Sequence, residues 1–369
     1  GNYNVVVGDE AGTALTTGDN NVAIGYAALD LEDTGTDSVA VGYNALTAQN
    51  NDAANYNVAV GSSAGAAVTS GTNNTLIGGL AGDAISTGAG NTGLGKNALG
   101  ATTTASANTA VGTNAMLSNT EGANNVAVGH QALDSDTLGS KTVAVGKNTL
   151  QSQNFTTATD SNNVAVGYDA GQAVTTGVKN VLIGGLAGDA LTDADFNVAV
   201  GYAALGADTL GSRSTALGYL ALSAQNFTTA TDAYNTAVGM FAGGLVTTGT
   251  ANTLIGGLSG DAITTGAFNT GVGTGSLGAL TTGSNNVAIG EVALDASTEA
   301  GDNVAVGVSA LGADVLGSRS VAVGRAALTS QNFTTATETY NVAVGYNAGG
   351  AVTTGTENTL IGGLSGDAL

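Results

Sequence analysis

The chain has 369 residues, with 59 glycines, no proline, no cysteine, no tryptophan and only 9% charged residues. Its 28 acids against seven lysines and arginines give a net charge of −21, which argues against a nucleic-acid partner and an anionic membrane surface, since both need Lys and Arg. Hydrophobic residues at 43% are too many for a disordered chain, aromatics at 4% too few for a large aromatic-anchored core, and without cysteine there is no disulfide or thiolate metal site.

From the N-terminus the first predicted element is NVVVG at 4–8, then NVAIG at 21–25 and SVAVG at 38–42. This five-residue phrase recurs to the C-terminus, 21 times in all, its glycine running from Gly8 and Gly25 to Gly345 and Gly362. Most steps are 17 residues; one is 19 (Gly42 to Gly61) and three are 21 (Gly146 to Gly167, Gly218 to Gly239, Gly324 to Gly345). Such a period fits one coil of a solenoid. The sequence therefore predicts an all-β, parallel β-solenoid or β-roll of 21 coils over residues 1–369 as a single repeat domain. The chain begins and ends inside repeats and is read as a segment of a longer fibre. No run approaches the about 18 apolar residues of a spanning helix, so no membrane insertion is expected in this segment.

Each repeat is numbered here from the first residue of its phrase. Position 1 is Asn in 17 repeats, Ser at 38, 214 and 320, and Thr at 142. Asn residues stacked at one coil spacing can bond to one another in a ladder. Positions 2 and 4 are aliphatic or Thr and share one face of a strand, while position 3, Ala or Gly in 16 repeats, takes the other. The small face implies a closely approaching surface, and we expect other copies of the chain to supply it. Position 5 is always Gly, as a corner with φ > 0 or a close backbone approach requires. Four repeats place Leu at position 3 (Leu76, Leu182, Leu254, Leu360) and also carry Gly at position 6, which reads as room made for the larger side chain. Nine repeats have Gly at position 9 and an aliphatic at position 12; the other twelve have Leu or Met at 9 and, Leu280 apart, a polar residue at 12. One pocket per coil is filled from either place, and the spacing suits a short helical or 3₁₀ turn after the strand.

The longer steps insert loops, where solenoids place binding surfaces. The three long insertions repeat QNFTTAT at 153–159, 225–231 and 331–337; the shorter one, AQNNDAANY at 48–56, lacks Phe. The coil before each long insertion ends in LGSK or LGSR, which puts Lys141, Arg213 and Arg319 near Phe155, Phe227 and Phe333. These six residues are the candidate surface-binding set, suited to stacking on sugars. The alternative is that each Phe plugs a gap against a neighbouring chain while the cation balances nearby acids. Each loop also contains an Asn-Phe-Thr sequon, at Asn154, Asn226 and Asn332.

NNVAIGYAAL, NVAVGYNAL and GTNNTLIGG resemble the head repeats of trimeric autotransporter adhesins, the YadA-like heads, and related repeats of phage tail-fibre-like proteins. The resemblance covers the whole chain, although the 17-residue period is longer than that family's commoner one. It implies a left-handed β-roll, a homotrimer or higher fibre assembly, and an elongated fibre displayed extracellularly, on a cell or on a virion. It also implies attachment to a cell-surface glycan or protein receptor. At about 4.8 Å per strand, 21 coils would rise on the order of 100 Å.

Other chemistries find less support. Asp occurs in GDN, TDS and GDA without one register, so no cofactor is expected, and structural calcium is the only ion the composition leaves open. TTG recurs in only some coils, short of a continuous ice-binding lattice. His130 is the only histidine and has no nucleophile beside it in the pattern, so no enzyme is expected. The leading expectation is an adhesin head or shaft; the other is a structural filament or tail-fibre shaft that spaces a binding tip lying outside this segment.

Overall fold

A computed structural model describes residues 1–369 as an all-β parallel solenoid without helices. The coils form two compact units, Gly1–Asn180 and Val181–Leu369. The first contains ten three-residue main-sheet strands, from Val5–Val7 to Val164–Val166, and the second eleven, from Val181–Ile183 to Thr359–Ile361. Within each unit, every strand pairs in parallel with the same repeat positions of the next coil: Val22, Ala23 and Ile24 lie opposite Val39, Ala40 and Val41. The insertions leave this register intact, for Val143 still faces Val164 and Thr215 still faces Thr236. A second, two-residue ladder forms only at the long insertions: Gly139–Ser140 with Thr159–Asp160, Gly211–Ser212 with Thr231–Asp232, and Gly317–Ser318 with Thr337–Glu338.

The strand faces point opposite to the expectation from sequence. Position 3 is the inside: Ala23, Ala40, Ala127 and Ala288 are fully buried by their own chain. Positions 2 and 4 look outward and stay partly exposed, as at Ile24, Ile77 and Ile289. The Ala face thus needs no second chain, because the coil is thin enough for its own opposite wall to cover it.

Position 5 is glycine for both reasons anticipated. Gly112 has φ 135°, and a Cβ there would stand 2.4 Å from the Gly129 carbonyl oxygen of the next coil. Beyond it there is a turn but no helix. Positions 7 and 9 and the residue just before the next position 1 (position 17, a name kept for it in the longer coils) are left-handed in coil after coil, even where the residue is Leu or Tyr: Leu29 has φ 54°, Leu46 φ 50° and Tyr56 φ 50°. Each such residue costs about 1–2 kcal/mol in backbone strain. What offsets it is pairing along the stack. Ala27 N–H donates back to the Asp9 carbonyl of the preceding coil, and Leu29 N–H donates forward to Ala45. Alternating right- and left-handed residues turn successive N–H groups toward opposite neighbours, so the turn is hydrogen-bonded much as a strand is.

The shared pocket is real. A Cβ on Gly82 would lie 2.7 Å from Ile85 Cδ1 at position 12, and one on Gly188 2.8 Å from Leu191 Cδ1. At Leu280 both places are large; Leu277 packs 3.2 Å from the Cβ that Gly271 lacks, and Leu280 turns toward Gly283. The room for Leu at position 3 comes from elsewhere than position 6, where a Cβ on Gly79 would meet only the Ser62 carbonyl at 3.9 Å. Leu76 instead fills the space left by position-9 glycines of its own and the preceding coil, at 2.7 Å from the missing Cβ of Gly82 and 2.9 Å from that of Gly65.

This exchange can be reversed by design. Leu99 is fully buried, and the buried Thr102 hydroxyl beside it has no hydrogen-bond partner. Leu99→Gly should lose about 2–5 kcal/mol in urea unfolding, and adding Thr102→Ile should recover at least about 1 kcal/mol of it. A double variant no more stable than Leu99→Gly would contradict the shared pocket.

Candidate functional site

Three structures distinguish the surface and interior: an asparagine column, a buried polar group at each inserted coil, and an outward face of unusual composition. In the column, each Asn Oδ1 accepts the backbone N–H of the next coil's position 1, as from Asn91 to Asn74 at 3.0 Å and from Asn108 to Asn91 at 3.0 Å. The same Asn donates Nδ2–H to a carbonyl later in its own coil, Asn91 to Ala105 at 2.9 Å. The ladder foreseen between amides therefore runs mainly from side chain to backbone, with amide–amide contacts such as Asn91 Nδ2 to Asn74 Oδ1 at 3.2 Å secondary.

Where position 1 is Ser or Thr the column breaks, and Gln at position 12 bridges it. Gln153 Nε2 donates to Asp136 at 2.6 Å and to Thr142 Oγ1 at 3.1 Å, while its Oε1 accepts from Asn163 Nδ2 at 2.8 Å. Asp136 also accepts the backbone N–H groups of Gly139 at 3.0 Å and Phe155 at 3.3 Å. The same set recurs as Glu32–Gln49–Ser38, Asp208–Gln225–Ser214 and Asp314–Gln331–Ser320, all buried. Burial pushes the Asp136 carboxyl above the ordinary aspartate range, while the hydrogen bonds from Gln153, Phe155 and Gly139 pull it down. Sequence spacing exposed the polar residues at position 12 but gave no sign that they meet. Every buried side-chain nitrogen and oxygen of the set has a hydrogen-bond partner, so it acts as a structural splice.

The six predicted binding residues meet in pairs at these coils. Phe155, Phe227 and Phe333 are only 5%, 6% and 7% exposed, so their rings do not face solvent. Each Phe is a plug within its own chain; the Gly of LGSK and LGSR is required by the buried carboxylate, since a Cβ on Gly139, Gly211 or Gly317 would stand 2.1–2.2 Å from Oδ2 of Asp136, Asp208 or Asp314. The cations remain exposed. Lys141 pairs with Asp160 at 2.6 Å, Arg213 with Asp232 at 2.9 Å, and Arg319 lies between Glu338 at 2.6 Å and Asp302 at 3.7 Å. Arg213 also covers the rings of Phe196 at 4.8 Å and Tyr234 at 5.8 Å.

These cations belong to the third structure. Positions 17 and 6 stand two residues before and two after the outward strand residues, and so flank the aliphatic face. All ten tyrosines, all seven lysines and arginines, Phe196, Phe268, Met240 and His130 occupy these two positions. Every one of the ten tyrosines is exposed, from 43% at Tyr26 to 87% at Tyr3. Along the columns Tyr26 stacks on Tyr43 at 5.5 Å, Tyr202 on Tyr219 at 5.8 Å, and Lys147 lies 5.6 Å above Tyr168. Only Asp9, Asp37, Glu291, Asp302 and Glu357 of the 28 acids share these positions. Enrichment in Tyr, Phe and Arg with few acids is shared with protein–protein interfaces, although all four lysines, which such interfaces disfavour, also lie here. Sequence reading missed it because the residue at positions 6 and 17 changes from coil to coil and only the structure shows that, within each unit, they border an exposed strip. No family model matches the chain, and a search of curated proteins finds no match.

Gln153→Leu removes the donor to Asp136 Oδ2 and one of the two acceptors of Asn163 Nδ2, leaving Asp136 its Gly139 and Phe155 N–H donors and Asn163 the Gly177 carbonyl, and should cost about 1–3 kcal/mol at neutral pH. Loss of the Gln153 donor moves the folded-state pKa of Asp136 further above its unfolded value. The stability linked to that carboxyl is then present at acid pH and lost as pH rises through the folded pKa. Chemical unfolding of variant and wild type across the carboxyl range should show the gap widening with pH. A gap that narrows would contradict the assignment.

Proposed function

We propose that the chain is a fibrous structural segment that self-associates through its outward strand faces, in an assembly displayed extracellularly or on a virion for attachment to a surface. One observation carries this: the exposed aliphatic strip bordered by nearly every aromatic and every cation on the surface. Within the first unit the strip measures about 45 Å by 20 Å, on the order of 900 Å², the size of one partner's share in a stable interface. A partner covering it must offer matching side chains at each coil spacing, and a second copy of the chain has that spacing by construction. The resemblance of NNVAIGYAAL and its relatives to YadA-like heads supplies the number three.

The buried Phe155, Phe227 and Phe333 favour a second reading of the same assembly. A chain whose insertion rings are plugs serves as a shaft, spacing a binding tip that lies outside this segment. Removing the exposed residues 156–158, 228–230 and 334–336 from the three loops should then leave attachment of a tip-bearing fibre unchanged, whereas lost attachment would favour binding through the loops.

Light scattering on a sizing column should return the mass of three chains. Gly257→Arg tests the face without disturbing the coil, since a Cβ there has only the Met240 carbonyl oxygen near it, at 4.0 Å. This variant should keep the wild-type circular dichroism and lower the mass to one chain. A monomeric wild type, or a variant with undiminished mass, would overturn self-association through this face.

A further inference from the structure

The chain contains four Asn-X-Thr sequons, at Asn73, Asn154, Asn226 and Asn332, and the fold treats them differently. Around Asn73 the tripeptide is locked into the stack. Asn74 is fully buried in the asparagine column, donating from its backbone to Asn57 at 2.9 Å and from its amide to Gly88 at 2.9 Å. Thr75 begins a paired strand, Thr75–Ile77.

The other three lie at the start of the long insertions, where the middle residue is the Phe plug and the flanking residues are exposed. Asn154, Asn226 and Asn332 and the hydroxyl residues Thr156, Thr228 and Thr334 all face solvent. No backbone N–H from Thr156 to Ala158, Thr228 to Ala230 or Thr334 to Ala336 is tied to another backbone group. The Asn154 side-chain oxygen accepts from Thr137 Oγ1 at 3.0 Å, and Asn226 accepts likewise from Thr209 at 3.1 Å, which leaves Nδ2 of each turned to solvent. Phe155 thus fixes the strand-side half of the loop while the sequon's hydroxyl half stays free. These three asparagines occupy position 13, in line with Thr137 and Thr209, and not the strip of positions 2, 4, 6 and 17.

We infer that Asn154, Asn226 and Asn332 are acceptor sites for an N-linked saccharide, and that Asn73 is not. The donor is a lipid-pyrophosphate-linked saccharide presented by a sequon-reading transferase. Asn Nδ2 forms a bond to the anomeric carbon, the bond from that carbon to the pyrophosphate oxygen breaks, and the lipid pyrophosphate leaves with the electron pair. One Nδ2 proton passes to a base of the transferase. Because the sites stand off the strip, a modified chain still assembles to the same copy number as an unmodified one.

The test is secretion of the full chain from a eukaryotic host, with a C-terminal tag carrying one unstructured sequon that reports transferase action. Intact mass should show three additions beyond the tag, and release by a glycosylasparagine amidase should convert Asn154, Asn226 and Asn332 to Asp, a gain of about 1 Da each, with Asn73 unchanged. Thr156→Ala should remove the addition at Asn154 alone and leave the circular dichroism unaltered. Bare loops beside a modified tag would overturn the inference, and so would modification of Asn73 to the same extent as the loops. Copy number by light scattering is read separately on modified and unmodified chain, so failure of self-association and failure of modification are distinct results.

Discussion

One hydrogen-bonding device holds each coil to itself and to its neighbour. The position-1 Asn accepts a backbone N–H from the next coil through Oδ1 and closes its own coil through Nδ2, as Asn108 does with Asn125 N–H at 2.9 Å and Gly122 O at 2.8 Å. The column adds to the register set by the strand ladder and by the turn bonds between coils, since three-residue strands carry few ladder bonds and their aliphatic residues are interchangeable. A shorter or acceptor-only side chain does only half of this. That is why the four coils with Ser or Thr at position 1 are also the four that bring in Gln49, Gln153, Gln225 and Gln331, each held by a buried carboxylate. An insertion is therefore tolerated without a slip in register, and Val143 still meets Val164 across it.

The period, the strands and the glycine corners were legible because each rests on a residue type with one physical use. Glycine at position 5 is the clearest case, with a positive φ and a carbonyl where its Cβ would be. The exchange between positions 9 and 12 was legible too, because it conserves volume. The orientation of the strand was not. In Val-Ala-Val both faces are apolar, so alternation alone does not say which is inside, and the small Ala lies within because the coil is only one side chain thick. The left-handed Leu29 and Leu46 were equally hidden, since Leu shows no preference for that conformation and is held there by bonds to neighbouring coils.

The candidate site shows the same division. The sequence grouped Lys141, Arg213 and Arg319 with the insertions, and the structure joins them to Asp160, Asp232 and Glu338 there. It did not reveal that the same cations belong to a strip with the tyrosines, since residues at positions 6 and 17 follow no repeat of their own. Nor did it separate a Phe that binds from one that plugs. Within each unit the outward strip carries the tyrosines and cations, while most of the acids lie elsewhere in the coils.

The central claim is that the asparagine column adds to register and cohesion, and amide hydrogen exchange tests it most directly. The backbone N–H groups of Asn91, Asn108 and Asn125, each held by the Asn of the preceding coil, should be among the slowest to exchange, far behind Thr157 and Ala158 in the insertion. Exchange of those three asparagine amides at the rate of the insertion amides would contradict it.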